Sequence, residues 1–149
     1  QLGIALREMA KQGGFRIDVQ TMAHSTYLDQ VWKKGNFYVG FYNMQPTPDA
    51  VFSLLYTSTA SWNETRWNNA DFDSAVNAAR ETNDDAQRTT LYGKAQQLMH
   101  DEVPSLIPTF FDLLAASRDY VGGYHLHPRG AVFRLDHTWL TDKAPKRAV

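Results

Sequence analysis

Apolar residues recur at helical spacing through the middle of this chain. Between Trp67 and Phe110 the sequence reads WNNADFDSAVNAARETNDDAQRTTLYGKAQQLMHDEVPSLIPTF. Phe72, Val76 and Ala79 fall on one stripe, and Asn69 stands where a side-chain oxygen caps the first free N–H groups of a helix. Asn83, Asp84 and Asp85 break the chain and recap it. Leu91, Ala95, Leu98 and Met99 form the buried stripe of a second helix, which Pro104 terminates because its ring replaces the N–H the helix needs.

Upstream, the pattern predicts helices alternating with strands. Leu2, Leu6, Met9 and Ala10 predict a helix over Leu2 to Lys11, stopping at Gly13-Gly14. Phe15, Ile17 and Val19 alternate with Arg16, Asp18 and Gln20, the period of a strand with one wet face. Ser25 is placed to cap a helix carrying Leu28, Val31 and Trp32 inward, with Lys33 and Lys34 at its electronegative end. Asn36 to Asn43 is almost continuously apolar and aromatic, as a strand covered on both faces would be.

The composition changes after that strand. Met44 to Asp49 is a proline-punctuated link, and Asp49 is placed to cap a short helix bearing Val51, Phe52, Leu54 and Leu55. Thr57 to Arg66 reads as a polar loop containing Trp62. Beyond Pro104 the pattern predicts short strands at Ser105 to Phe110, Leu113 to Arg118, Gly123 to His127 and Val132 to Asp136. Lys143 to Val149 reads as a frayed tail. The predicted class is α/β, a mixed sheet with flanking helices.

Charge and cysteine usage narrow the function. A net charge of −1, with mixed signs and no run of like charges, argues against nucleic acid or an anionic membrane surface as partner. Without cysteine the chain has no disulfides, thiolate metal sites or cysteine nucleophiles. Neither G-x-S-x-G, H-E-x-x-H, a phosphate loop nor a dinucleotide fingerprint occurs, so the chain does not read as an enzyme, and no cofactor is implied. Aromatic residues make up 13% of the sequence, enough to serve a core or a ligand-stacking surface.

The order Asn-x-x-Phe-Asp at Asn69 to Asp73, then the run from Asp84 to Pro108, resembles the carboxy-terminal region of the extracytoplasmic solute-binding proteins, family 5, of ABC importers. These bind oligopeptides, dipeptides or nickel. The stretch from Leu6 to Asn43 is similar to that family's helix, strand, helix, strand pattern, and Asp119 to Leu140 to its closing signature. The resemblance implies the carboxy-terminal portion of a two-lobed periplasmic-binding-protein fold of type II-like architecture. Residues 1–41 would belong to the second lobe, 42–49 to a hinge crossover lining the cleft, 50–142 to the first lobe, and 143–149 to a tail. Family members are several times longer, and the chain starts at Gln1 with no signal peptide, so a truncated fragment is expected.

By resemblance, the chain implies a periplasmic substrate-binding component that captures a peptide or peptide-like solute for permease subunits, touching the membrane only through the permease. The alternatives are a chemosensing or regulatory module, or a non-peptide solute such as a sugar, an opine or a metal complex. The ligand-binding candidates are Phe41, Tyr42, Asn43, Met44, Gln45 and Asp49. Peptide-binding relatives carry a pattern like G-W-x-x-D…D-P-D here, whose acid pairs with the peptide ammonium group. Aligning on Pro48-Asp49 puts Met44 where that aspartate stands, so Tyr42, Asn43 and Gln45 suit a polar ligand of weak charge. Exposed strand edges in a fragment favour self-association, and one part of a cleft would bind ligand poorly by itself.

Two side-chain patterns have a chemical and a structural reading. His125 and His127 share one face of a predicted strand with His137 further on, a spacing open to metal, although no third ligand is set by it. Arg88 lies in the first turn of its helix, where the dipole gives it nothing. Pairing with Asp84 or Asp85, or reaching another segment, would offset this.

Overall fold

Helices form where the sequence supplies caps. The computed structural model describes residues 1–127 and 135–146. Helix α1 spans Leu2–Lys11, and the chain turns out of it through Gly14 at φ 80°, with Phe15 N–H donating to the Ala10 carbonyl at 3.1 Å. That closure needs the left-handed region, which glycine enters without cost. Helix α2 spans His24–Gln30 and α3 spans Pro48–Leu55. Helices α4 (Ala70–Glu81) and α5 (Asp85–Glu102) follow.

The caps of α4 and α5 are those read from the sequence. Asn69 Oδ1 accepts from Phe72 N–H and Asp84 Oδ1 from Gln87 N–H, each at 2.9 Å. Helix α5 ends at Glu102, two residues before Pro104, with Val103 between them in the left-handed region at φ 48° and ψ 54°. Arg88 donates to Asp85 Oδ1 at 2.5 Å and to the Thr82 carbonyl at 2.7 Å, which ties the start of α5 to the end of α4.

The caps of α2 and α3 differ from expectation. Ala23 occupies the N-cap of α2 without a side-chain bond, and Ser25 lies inside the helix. Helix α2 stops at Gln30, and Lys34 Nζ reaches back to donate to the Asp29 carbonyl in its last turn, so this lysine serves the electronegative end as expected. Thr47, and not Asp49, caps α3: Thr47 Oγ1 accepts from Ala50 N–H at 3.2 Å, and Pro48 takes the first helical position. Asp49 falls two residues after the capping position and instead accepts from Arg80 Nε at 2.6 Å.

The chain divides into two units, the first comprising Gln1–Tyr42 with Thr47–Ser105, the second Asn43–Pro46 with Leu106–Val149. In the first unit, α4 packs along α5 and α3 against α4. Phe52, Leu55, Tyr56, Phe72, Ala75, Val76 and Ala95 make the core. Phe72 and Val76 are fully enclosed, and the Phe72 ring meets Phe52 edge-on at 5.2 Å. Burying each of these side chains contributes about 1.5–3 kcal/mol. Among the described residues, no helix is long and apolar enough to cross a membrane.

The second unit holds a two-stranded antiparallel ribbon, β1 (Val121–Gly122) and β2 (Trp139–Leu140), with a 3-10 turn at Leu135–His137. A side chain at Gly122 would begin 2.5 Å from the Trp139 ring, so only glycine lets the indole lie on this strand. His125 is exposed, His127 half-buried and His137 on the 3-10 turn, and no three metal-ligating side chains gather among the described residues.

The expected mixed sheet is reduced to this ribbon. The predicted strands at 15–20, 36–43, 105–110, 113–118 and 123–127 have no ladder partner among the described residues. Strand structure is collective: without a neighbour to bond its N–H and C=O groups, an alternating segment stays irregular. Phe37 and Phe41, expected to be covered on both faces, are 69% and 65% exposed. Of the expected strand Val132 to Asp136, residues 132–134 lie outside the described residues, as do 147–149 of the expected tail. The architecture is helix-rich with a small sheet, compatible with an α/β fold.

Candidate functional site

Loop 57–67 is shaped by Asn63, whose Nδ2 donates to the Thr57 carbonyl at 3.2 Å and to the Trp67 carbonyl at 2.8 Å. The loop thereby presents Glu64 to the segment that follows α2. Glu64 Oε2 accepts from Trp32 Nε1 and from the Tyr42 hydroxyl, both at 2.8 Å, and from the Tyr38 hydroxyl at 3.4 Å. Trp32 Nε1 is also 3.2 Å from the Tyr42 oxygen. Gly40 passes close by: a side chain there would begin 3.3 Å from Glu64 Oε1.

Aromatic rings enclose this carboxylate. Trp32 meets Trp62 edge-on at 5.7 Å, Tyr42 lies 6.2 Å from Trp62, and Tyr27 meets Tyr38 edge-on at 5.8 Å. The Tyr42 hydroxyl is held far above its usual titration range, chiefly by burial, with the Glu64 carboxylate adding to the effect. Burial also raises Tyr27 and Tyr38, again with a contribution from Glu64. These phenols stay protonated at neutral pH and act as donors.

Cations gather around the same loop. Arg66 donates to the carbonyls of Lys33 and Lys34 at 3.3 and 3.2 Å, and Lys33 Nζ donates to the Ser61 carbonyl at 2.7 Å. Lys33 Nζ also stands 5.8 Å from the Trp32 ring centre, within cation–π range. Both Lys33, at φ 62°, and Arg66, at φ 58°, occupy the left-handed region without being glycine.

Of the ligand-binding candidates read from the sequence, Tyr42 enters the Glu64 cluster through a hydrogen bond. Phe41 is exposed and belongs with Tyr42 to the first unit, whereas exposed Asn43 and Met44 and half-buried Gln45 belong to the second. Asp49 is in the first unit, engaged by Arg80. Sequence reasoning missed Glu64 and Trp32 as partners. The available signal was Trp62-Asn63-Glu64 in a loop: an acid beside an indole, where neither periodicity nor a cap accounts for either.

The comparisons with known proteins define a class. The chain is 32% identical, over 123 residues, to a probable deoxycholate-binding periplasmic protein (YgiS) of Escherichia coli, covering 80% of this chain and 23% of that protein. It is 35% identical over 86 residues to the dipeptide-binding protein of the same organism, covering 56% of this chain and 16% of the relative. It is 40% identical over 72 residues to a di/tripeptide-binding protein of Pseudomonas aeruginosa, covering 46% of this chain and 13% of the relative. No protein-family model matches. These relatives are binding proteins rather than enzymes. The homologues of this chain are periplasmic solute-binding proteins of family 5, and the chain spans under a quarter of the length of those it matches.

Proposed function

We propose that this sequence serves as part of the substrate-binding component of an ABC importer, acting in the periplasm and holding a small solute without chemical change. The observation that carries this reading is the similarity to binding proteins over four-fifths of the chain. Residues 1–41 would then contribute to one lobe and 50–142 to another, with 42–49 crossing between them and lining the ligand cleft. Tyr42, tethered through its hydroxyl to Glu64, would present one edge of its ring to the solute. Asn43 and Gln45 would supply neutral hydrogen bonds, with Phe41 and Met44 as apolar contacts and Asp49 near the rim. The other partner is the permease, approached by the closed, loaded form.

A peptide is the ligand that two of the three relatives name. A non-peptide ligand is favoured by Met44, which stands where the ammonium-binding acid of the peptide-binding pattern falls, and by the deoxycholate-binding relative. Mass spectrometry of small molecules released from the purified protein, followed by calorimetry with the compound found, tests both. Alanine at Asn43 or Gln45 should each cost about 1–3 kcal/mol of binding if they hydrogen-bond the ligand. Unchanged affinity in both would remove 42–49 from the site.

A further inference from the structure

The aromatic rings and unpaired cations around loop 57–67 share one face of the first unit. Trp32, Trp62 and Tyr42 supply adjoining rings, with Trp62 43% exposed. Lys33, Lys34 and Arg66 are exposed, and among the described residues none of them forms an ion pair. Their bonds go to backbone carbonyls: Ser61 for Lys33, Asp29 for Lys34, and Lys33 and Lys34 for Arg66. Carbonyl acceptors position a cation but leave its charge uncompensated.

One carboxylate in the neighbourhood, Glu64, is occupied by neutral donors. Trp32 and Tyr42 approach it at 2.8 Å and Tyr38 at 3.4 Å. Counting Asp29, whose carbonyl holds Lys34, three positive charges against two negative leave a net positive field, centred on Lys33 and Arg66. Holding like charges together in strained backbone at Lys33 and Arg66 costs stability, and an anion placed among them would offset the repulsion. The rings would cover an apolar body attached to that anion.

We infer that this face binds an amphipathic anion, a molecule with a flat apolar body and a carboxylate. The body lies against Trp62 and the edge of Tyr42, and the carboxylate meets Lys33 and Arg66. Lys34 adds to the field, and Glu64 acts as a positioning residue that orients Trp32 and Tyr42. The inference rests on the solute-binding reading and specifies the class of solute. A cationic or zwitterionic ligand would place its ammonium group against the same three cations, so it is disfavoured.

Deoxycholate, kept below its micelle-forming concentration, is a suitable probe, with Trp32 and Trp62 as internal fluorophores. The wild-type 149-residue chain should give saturable quenching that weakens with added salt. Trp62→Ala should lower the affinity by about tenfold or more, since it removes the stacking surface. The double substitution Lys33→Gln with Arg66→Gln should lower it by roughly tenfold and abolish most of the salt dependence. Circular dichroism of each variant checks that the helices are retained, and calorimetry repeats the titration where the fluorophore is lost. Non-saturable partitioning, equal affinity in the variants, or tighter binding of a cationic detergent of similar size would each overturn the inference. Dipeptide binding that persists in Trp62→Ala while deoxycholate fails to bind wild type would sink this inference and leave the solute-binding reading standing.

Discussion

Trp32 and Glu64 are joined by a hydrogen bond of 2.8 Å, from the indole nitrogen to a carboxylate oxygen, across 32 residues of sequence. This bond fastens the segment after α2 to the loop before α4. The Tyr42 hydroxyl shares the same oxygen, so one side chain orients both an indole and a candidate ligand-contacting ring. Replacing Glu64 with alanine would leave the half-buried Tyr42 hydroxyl without its acceptor and the Trp32 N–H with only the Tyr42 oxygen, at 3.2 Å.

Glu64→Ala should therefore destabilise the first unit by about 1–3 kcal/mol, the cost of stranding a partly buried donor. Glu64→Gln keeps an acceptor oxygen and should cost less. Urea unfolding followed by tryptophan emission reads both, because Trp32 and Trp62 report on this cluster. Equal stability of wild type and Glu64→Ala would show that the bond contributes nothing.

The two residues at the start of α3 separate a cap from an ion pair. Thr47→Ala should lower stability by about 1 kcal/mol, as loss of an N-cap does. Asp49→Ala removes a partly exposed pair with Arg80 and should cost about 0.5 kcal/mol. Thermal denaturation of the two variants ranks them, and a larger loss at Asp49 would return the capping role to it.

Val103 is a β-branched residue in the left-handed region and is half exposed. L-residues pay about 1–2 kcal/mol there, because Cβ crowds the following carbonyl. Glycine relieves that crowding but gains freedom in the unfolded chain. Val103→Gly should therefore raise stability by a net of about 0.5–1 kcal/mol. A lower melting temperature in this variant would contradict the assignment of strain.

Alkaline pH should loosen the first unit. The hydroxyls of Tyr27, Tyr38, Tyr42, Tyr56 and Tyr92 all titrate above 10.0, with burial the main cause in each. A folded-state pKa above the unfolded one means that the native protein holds the proton more firmly. The resulting stabilisation is complete below pH ~10 and is lost as the pH rises through the folded values. Urea midpoints should fall above pH ~10, and Tyr42→Phe should make that fall shallower. Midpoints independent of pH in this range would refute the shared burial of these phenols.

The sequence by itself determined α4, α5 and the ends of α1. Asn69 and Asp84 cap helices whose first N–H groups lie three residues away; Phe72 and Val76 sit one turn apart on α4, and Ala95 lies on the stripe of α5. Caps, stripes and proline stops act within a few residues, so local order suffices to read them. The resemblance to solute-binding proteins was legible for the same reason, being carried by that helix pair. Tertiary structure decided what depends on distant segments. Whether 15–20 and 36–43 become strands rests on a partner for their backbone groups, which period-2 alternation announces but cannot supply. The meeting of Glu64 with Trp32, Tyr38 and Tyr42, and of Arg66 with Lys33 and Lys34, likewise depends on how a polar loop folds back onto the chain. No periodicity encodes that contact, because its energy comes from hydrogen bonds and charge across space rather than from the spacing of apolar side chains.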